Sequence, residues 1–242
     1  MNLSSAIDWR TANVYGIYGN LGGGKTLTAV EIMLFALGRG FAVSSNVQLK
    51  HISVLPGKYQ FIDDFSAVDY WTLPTGAPRG SKSKYRSLIV IDEVAEFFDQ
   101  YSSGSPFVKN FLSWLRHSSK RGQFVFLIVQ KPEFLAKPLR LLVNRWIVCN
   151  DLDQMRLPIL RIKIPFMGDF VMRKVYDRFG NCLSRGFLVA DKNIIGKYYN
   201  TAQSIATAGR DIDDIDDDAP VLLPSALWIL IWTWCAFVLL YM

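Results

Sequence analysis

Hydrophobic positions along the chain fall into short unbroken runs that alternate with stretches of helical spacing. Residues 14–18 are an apolar run closed by glycines, residues 87–91 (SLIVI) are another, and residues 123–130 (QFVFLIVQ) hold a third between two glutamines. Runs of this kind predict strands buried on both faces. Residues 27–37 repeat apolar side chains at the helical period, and residues 40–43 read as the next strand, ending at Ser44-Ser45-Asn46. Residues 106–121 open with a proline after Ser105 and space Phe107, Phe111, Leu112, Trp114 and Leu115 as one face of an amphipathic helix. Residues 132–143 read as helical with a kink or break at Pro138, and residues 145–149 as the last strong strand of the series. Between them, residues 74–86 carry Pro, Gly, Ser and basic side chains and predict an exposed loop. The alternation predicts an α/β fold, a mostly parallel sheet covered by helices on both faces.

The texture changes after residue 156. Strand-like runs (ILRIKI, FVMRKVY, GFLVA) are separated by Met167-Gly168-Asp169 and Phe179-Gly180-Asn181, which predicts hairpins and a small antiparallel β appendage. Residues 210–218 (RDIDDIDDD) are acidic and linker-like. From residue 219 to Met242 no charged side chain occurs, and the final apolar run would span about 30 Å as a helix, the thickness of a bilayer's hydrocarbon core. The expected organisation is a core over residues 1–156, an appendage over 157–209, a linker over 210–220 and a transmembrane helix over 221–242. A buried C-terminal helix is the other reading of the tail, disfavoured by its lack of amphipathic periodicity.

Composition adds little to this picture. Half the residues are hydrophobic, a surplus that the tail absorbs. The net charge of +6 suits a nucleic acid or an anionic lipid surface and equally suits a well-solvated exterior. Cys149, Cys182 and Cys235 lie far apart, so no zinc site or disulfide framework is expected, and the first residues lack the apolar stretch of a secretory signal.

The chemistry is concentrated in Gly19-Asn20-Leu21-Gly22-Gly23-Gly24-Lys25-Thr26, which fits the Walker A pattern G-x-x-x-x-G-K-[ST] between a strand and a helix that continues at Leu27. Glycines let backbone N–H groups turn inward as an anion-binding nest at a helix N-terminus. Lys25 is then expected on the β- and γ-phosphates of ATP, and the Thr26 hydroxyl on Mg²⁺. Asp92 and Glu93 end the strand SLIVI as a Walker B pair, Asp92 to hold Mg²⁺ and Glu93 to polarise the attacking water. Gln130 either senses the γ-phosphate, if its strand lies between those of the two motifs, or is a plain strand-end residue. Arg116, Lys120 and Arg121 either include an arginine finger acting in trans or satisfy the carbonyls at a helix end. His117 is expected at the surface or facing phosphate rather than on a metal.

Taken together, VYGIYGNLGGGKTLTAVEIM, GFAVSSNVQL, SLIVIDEVAEFF and FLSWLRHSSKRGQFVFLIVQ resemble the filamentous-phage assembly ATPases, which group with the zonula-occludens-toxin-like proteins. The resemblance covers about the first 150 residues and weakens through the hairpin region. It implies an inner-membrane protein of a bacterial host with a cytoplasmic P-loop NTPase domain and one transmembrane helix. The implied work is virion assembly and extrusion of DNA with other phage assembly proteins. Related motors of the HerA–FtsK type imply a homo-oligomeric ring, and the resemblance gives Lys25, Thr26, Asp92 and Glu93 their roles and Gln130 a sensor role. Many members continue past the membrane helix into an extracytoplasmic domain, so functions needing that domain would fall to a partner chain.

Two other readings share these residues. One is a genome-packaging ATPase of a membrane-containing virus, pumping double-stranded DNA. The other is a nucleotide-gated membrane scaffold with negligible turnover. Phage DNA would be held by backbone contacts with strong salt dependence, since no base-reading motif is present.

Overall fold

The computed structural model describes residues 7, 9, 12–78, 86–98, 104–151, 170–189 and 198–199. Their elements run β1 (Val14–Gly19), α1 (Lys25–Gly38), β2 (Ala42–Ser45), β3 (Lys58–Phe61), β4 (Ser87–Ile91), α2 (Pro106–His117), β5 (Gln123–Val129), α3 (Lys137–Leu142), β6 (Arg145–Asp151), β7 (Phe170–Asp177) and β8 (Cys182–Val189). Single 3₁₀ turns follow β3, β4 and β5, at Phe65–Ala67, Val94–Glu96 and Pro132–Phe134.

One eight-stranded sheet takes the order β3-β2-β4-β5-β1-β6-β7-β8. The first six strands in that order pair in parallel and the last two antiparallel. The expected α/β fold with a mostly parallel sheet is therefore present, and it has the layout of a P-loop NTPase. The apolar runs sit where they must: β4 and β5 are buried along their whole length. One face packs on α1 through Ala29, Val30, Met33 and Leu37 against Tyr15, Ile17, Leu88 and Phe126. The other packs on α2 and α3 through Phe111, Trp114 and Leu139 against Ile89, Val125 and Leu127.

Several boundaries differ from those the pattern predicts. The second strand lies at Ala42–Ser45 rather than residues 40–43, because Gly40 at φ 78° closes the preceding turn. The helix from Pro106 stops at His117, where Ser118 turns its hydroxyl back to the Leu115 carbonyl and the chain reverses through Gly122 into β5. The stretch 132–143 is a 3₁₀ turn, an extended step and a short helix, so Pro138 lies in the first turn of α3 instead of kinking a longer one. β3 carries no apolar run and was not expected; it is a four-residue, mostly exposed edge strand paired with β2.

The runs FVMRKVY and GFLVA are strands of a hairpin, and the turn falls at residues 178–181. That hairpin extends the main sheet antiparallel through β6, the appendage that the pattern predicts. The run ILRIKI, the turn at residues 167–169, the acidic stretch 210–218 and the apolar tail 221–242 lie outside the described residues. Among the described residues no helix is long and apolar enough to cross a membrane.

Candidate nucleotide site

β1 ends at Gly19 and α1 begins at Lys25, and the five residues between them form the loop. Gly22 and Gly24 take φ values of 71° and 80°, a region closed to most side chains, and the Gly23 N–H closes a turn on the Asn20 carbonyl at 2.9 Å. The loop is also hemmed in from the sheet. A Cβ on Gly19 would come within 2.2 Å of the Cys149 carbonyl on β6, and one on Gly24 within 2.5 Å of the Val171 side chain on β7. Glycine is thus required both for the backbone turn and for close packing on β6 and β7.

The Lys25 ammonium folds back over the loop and donates to the Gly19 carbonyl at 3.1 Å and the Asn20 carbonyl at 2.9 Å. These are weak neutral acceptors, which a phosphate oxygen would outcompete. The Thr26 hydroxyl donates to the Asp92 carboxylate at 2.8 Å, so the two motifs, 66 residues apart in sequence, meet directly. Burial is the largest influence on the Asp92 carboxyl and pushes it above the usual carboxylate range; hydrogen bonds from Thr26 and from the Glu93 N–H pull the other way. A buried carboxylate beside a hydroxyl is a hard-oxygen donor set that fits Mg²⁺, and the ion's charge would favour the ionised Asp92 that burial disfavours.

β5 lies between β1 and β4, so one strand separates the two motifs. In register, Tyr18 of β1 faces Val129 of β5, which puts Gln130, one step on and exposed, level with Gly19. Glu93 sits at the lip of the sheet, exposed, with φ 49°, an unfavourable conformation for a residue with a side chain. Its carboxyl shares a hydrogen bond with that of Glu96 one turn on, and this bond is the first cause that lifts Glu96 to about 7.

The basic cluster after α2 lies elsewhere. β5 runs parallel to β1, so residues 116–121, which precede β5, occupy the end of the sheet opposite the phosphate loop, about 20 Å away over six residues of strand. Arg121 donates to the Trp71 and Leu73 carbonyls and to the Gln123 side chain, and its guanidinium lies over the Trp71 ring. Arg116 is exposed with no hydrogen bond among the described residues. His117 donates from Nδ1 to the Ser113 carbonyl of its own helix at 2.8 Å, and its ring lies beside that of Trp71. Neither arginine reaches the phosphate loop of its own chain.

Two groups here carried no role in the sequence. Asn46, one residue past β2, accepts from the Asp92 N–H at 2.7 Å and donates to the Asp92 carbonyl at 3.0 Å, gripping the backbone on both sides of that residue. The polar end Ser44-Ser45-Asn46 on a buried strand was the available signal. Arg173 of β7, 1% exposed, forms an ion pair with Glu31 on the outer turn of α1. Two adjacent basic residues, Arg173 and Lys174, gave no sign of which one is buried.

A family model described as Zonular occludens toxin (Zot) matches residues 13–167. Gene 1 protein of Enterobacteria phage I2-2 is 30% identical over 61% of this chain and 42% of its own length. Gene 1 protein of Salmonella phage IKe is 28% identical over the same shares, and that of Enterobacteria phage M13 is 26% identical over 64% of this chain and 45% of its own. The chain thus spans less than half the length of these relatives. Among solved structures, the N-terminal domain of zonular occludens toxin from Neisseria meningitidis aligns at 19% identity over 77% of this chain and 98% of that one, with a TM-score of 0.49. The genome packaging NTPase B204 of Sulfolobus turreted icosahedral virus 2 aligns at 12% identity over 75% and 97%, with a TM-score of 0.47. With the family model matching well over half of its residues, the chain belongs to the Zonular occludens toxin (Zot) family.

Proposed function

We propose that this protein is an ATP hydrolase that drives phage virion assembly and DNA extrusion from the inner membrane of a bacterial host. The observation that carries the reading is the 2.8 Å contact between the Thr26 hydroxyl and the Asp92 carboxylate, which joins the two motifs at one lip of the sheet. The family and the phage relatives support the same assignment.

In this reading the loop from Gly19 to Thr26, with Leu27 behind it, takes the triphosphate. Lys25 leaves the Gly19 and Asn20 carbonyls for the β- and γ-phosphates. Thr26 and Asp92 would hold Mg²⁺, and the ion would supply positive charge beside the phosphate oxygens. Asn46 keeps the Asp92 peptide still while that happens. Glu93 orients the attacking water and accepts its proton, and Gln130, level with Gly19, contacts the γ-phosphate.

Subunits form a ring in which a neighbour supplies the arginine. Arg116 is the better candidate, since Arg121 already holds the 71–73 loop. Residues 221–242 anchor the protein in the membrane with the ATPase domain cytoplasmic, where other phage assembly proteins join it. DNA is contacted through its backbone.

The test is steady-state turnover and fluorescent-nucleotide binding by the detergent-solubilised full chain. Glu93→Gln is expected to keep nucleotide binding and to lose about 100-fold or more in turnover. Lys25→Ala is expected to lose binding itself. Normal hydrolysis by Glu93→Gln would remove Glu93 from its role, and negligible turnover by the wild type would favour the gated scaffold.

A further inference from the structure

The hairpin of β7 and β8 has two differently furnished faces. Val171, Arg173 and Val175 are buried toward α1, and Lys174 is half-buried on the opposite face. There Lys174 stands directly across from Arg185 of β8. Side chains directly opposite share a face and lie about 5 Å apart, and two like charges so placed repel. Neither has an acidic partner among the described residues. The one acid of the hairpin, Asp177, accepts from the Phe179 and Asn181 N–H groups and from the Asn181 amide, which commits it to the turn and holds it below its ordinary range.

At the tip the Arg178 guanidinium lies 4.7 Å from the centre of the Phe179 ring, and that ring is 75% exposed. Leu183 of β8 is 47% exposed. A single lysine would suffice to keep an edge strand from pairing with other chains. Two like cations set against each other on the strands, and a third on an exposed ring at the tip about 13 Å further along, call for an extended anion that runs past all three and a flat group that covers the ring. A chain of phosphates carrying unstacked bases has both.

We propose that Lys174, Arg178 and Arg185, with Phe179, bind the backbone and a base of single-stranded nucleic acid. The other end of the same hairpin bears on the nucleotide site through Val171 against Gly24 and Arg173 on Glu31 of α1. Strand binding at the tip and phosphate binding at the loop therefore act on one hairpin. This deepens the nucleic-acid part of the proposed function and rests on it.

The experiment measures binding of fluorescent thirty-nucleotide oligo-dT by the detergent-solubilised full chain across a salt series, with fluorescent-ATP binding and Tm measured in parallel. Lys174→Gln/Arg185→Gln is expected to weaken oligo-dT binding at least tenfold. It should also flatten the slope of log K against log salt by about 1.4, because two phosphates of a single strand are no longer neutralised. The same pair is expected to hold or raise the Tm, because it relieves a repulsion. Phe179→Ala is expected to lose about fivefold or more with no change in slope. ATP binding should stay within twofold in both variants.

Wild-type affinity and slope in the Lys174→Gln/Arg185→Gln protein would overturn the proposal, as would a fall in Tm that tracks the loss of binding. Polyglutamate that competes as well as unlabelled oligo-dT would overturn it in favour of an acidic protein partner. A duplex bound more tightly than oligo-dT would overturn the single-strand assignment. If ATP turnover fails while oligo-dT binding behaves as stated, the fault lies with the catalytic reading alone.

Discussion

Asn46 and Glu96 are the residues whose part in the site is easiest to isolate by measurement. Asn46 touches no nucleotide atom in the proposed arrangement; it fixes the peptide that carries Asp92. Asn46→Ala leaves a buried N–H and carbonyl without partners, and turnover is expected to drop about tenfold or more while nucleotide affinity moves by less than threefold. Equal losses in both would mean that Asn46 acts only through folding. Glu96 offers a pH signature. Its carboxyl titrates near 7 in the folded chain, above its unfolded value, so between about 4.5 and 7 the folded state holds the extra proton. Stability contributed by this group is therefore present at low pH and lost as pH rises toward 7. With divalent ions chelated, the Tm of Glu96→Gln relative to wild type is expected to be higher at pH 8 than at pH 5. A difference independent of pH would mean the carboxyl pair is not shared.

Among elements, β7 has the most consequence for the site despite lying outside the parallel part of the sheet. Its buried Arg173 is balanced by Glu31 on the helix that leaves the phosphate loop. Removing one member of such a pair strands the other charge, so Arg173→Ala is expected to cost about 3–5 kcal/mol in urea denaturation. Arg173→Met/Glu31→Gln should recover most of that, because neither charge then remains. Failure of the double variant to recover would show that Arg173 matters for its packing against Cys149 and α1 and not for its charge. The helix end LRHSSKRG has an equally plain structural job. Ser118 bonds to Asn13 and to the end of α2, and Arg121 pins the chain at Trp71 and Leu73, so the segment orders the end of the sheet far from phosphate.

For the whole molecule, the proposed anchor makes a prediction that needs no structural detail. Expressed in bacteria, the full chain is expected to sediment with membranes, to resist extraction at pH 11 and to be released only by detergent. Release by alkali would remove the transmembrane reading of residues 221–242. The sheet order gives this scale its other feature: β5 between β1 and β4 leaves a polar strand end, Gln130, beside the loop, which a direct β1–β4 pairing would exclude.

Much of this was legible in the chain. Unbroken apolar runs placed β1, β4 and β5, since a strand covered on both faces has few positions for a polar side chain, and the shorter run at residues 146–149 placed β6. Glycines, Lys25 and Thr26 announced their turn, because a local backbone shape demands local residue types. β3 escaped notice because an exposed edge strand of four residues is held by its neighbour's hydrogen bonds and not by burial. The place of Pro138 in the first turn of α3 was misread for a related reason: proline suits a first turn as readily as it breaks an inner one, and only the path of the chain tells which.

What the sequence determined by itself was therefore everything set by neighbours a few residues apart: the alternation of elements, the phosphate loop and the acid pair at a strand end. Tertiary structure alone decided that Thr26 meets Asp92, that Asn46 grips the Asp92 peptide, that Arg173 sits under α1 and that Arg121 faces away from the loop. Those pairings join residues 46 to 142 positions apart. Strand order and register bring them together, and both are settled by packing the whole sheet at once.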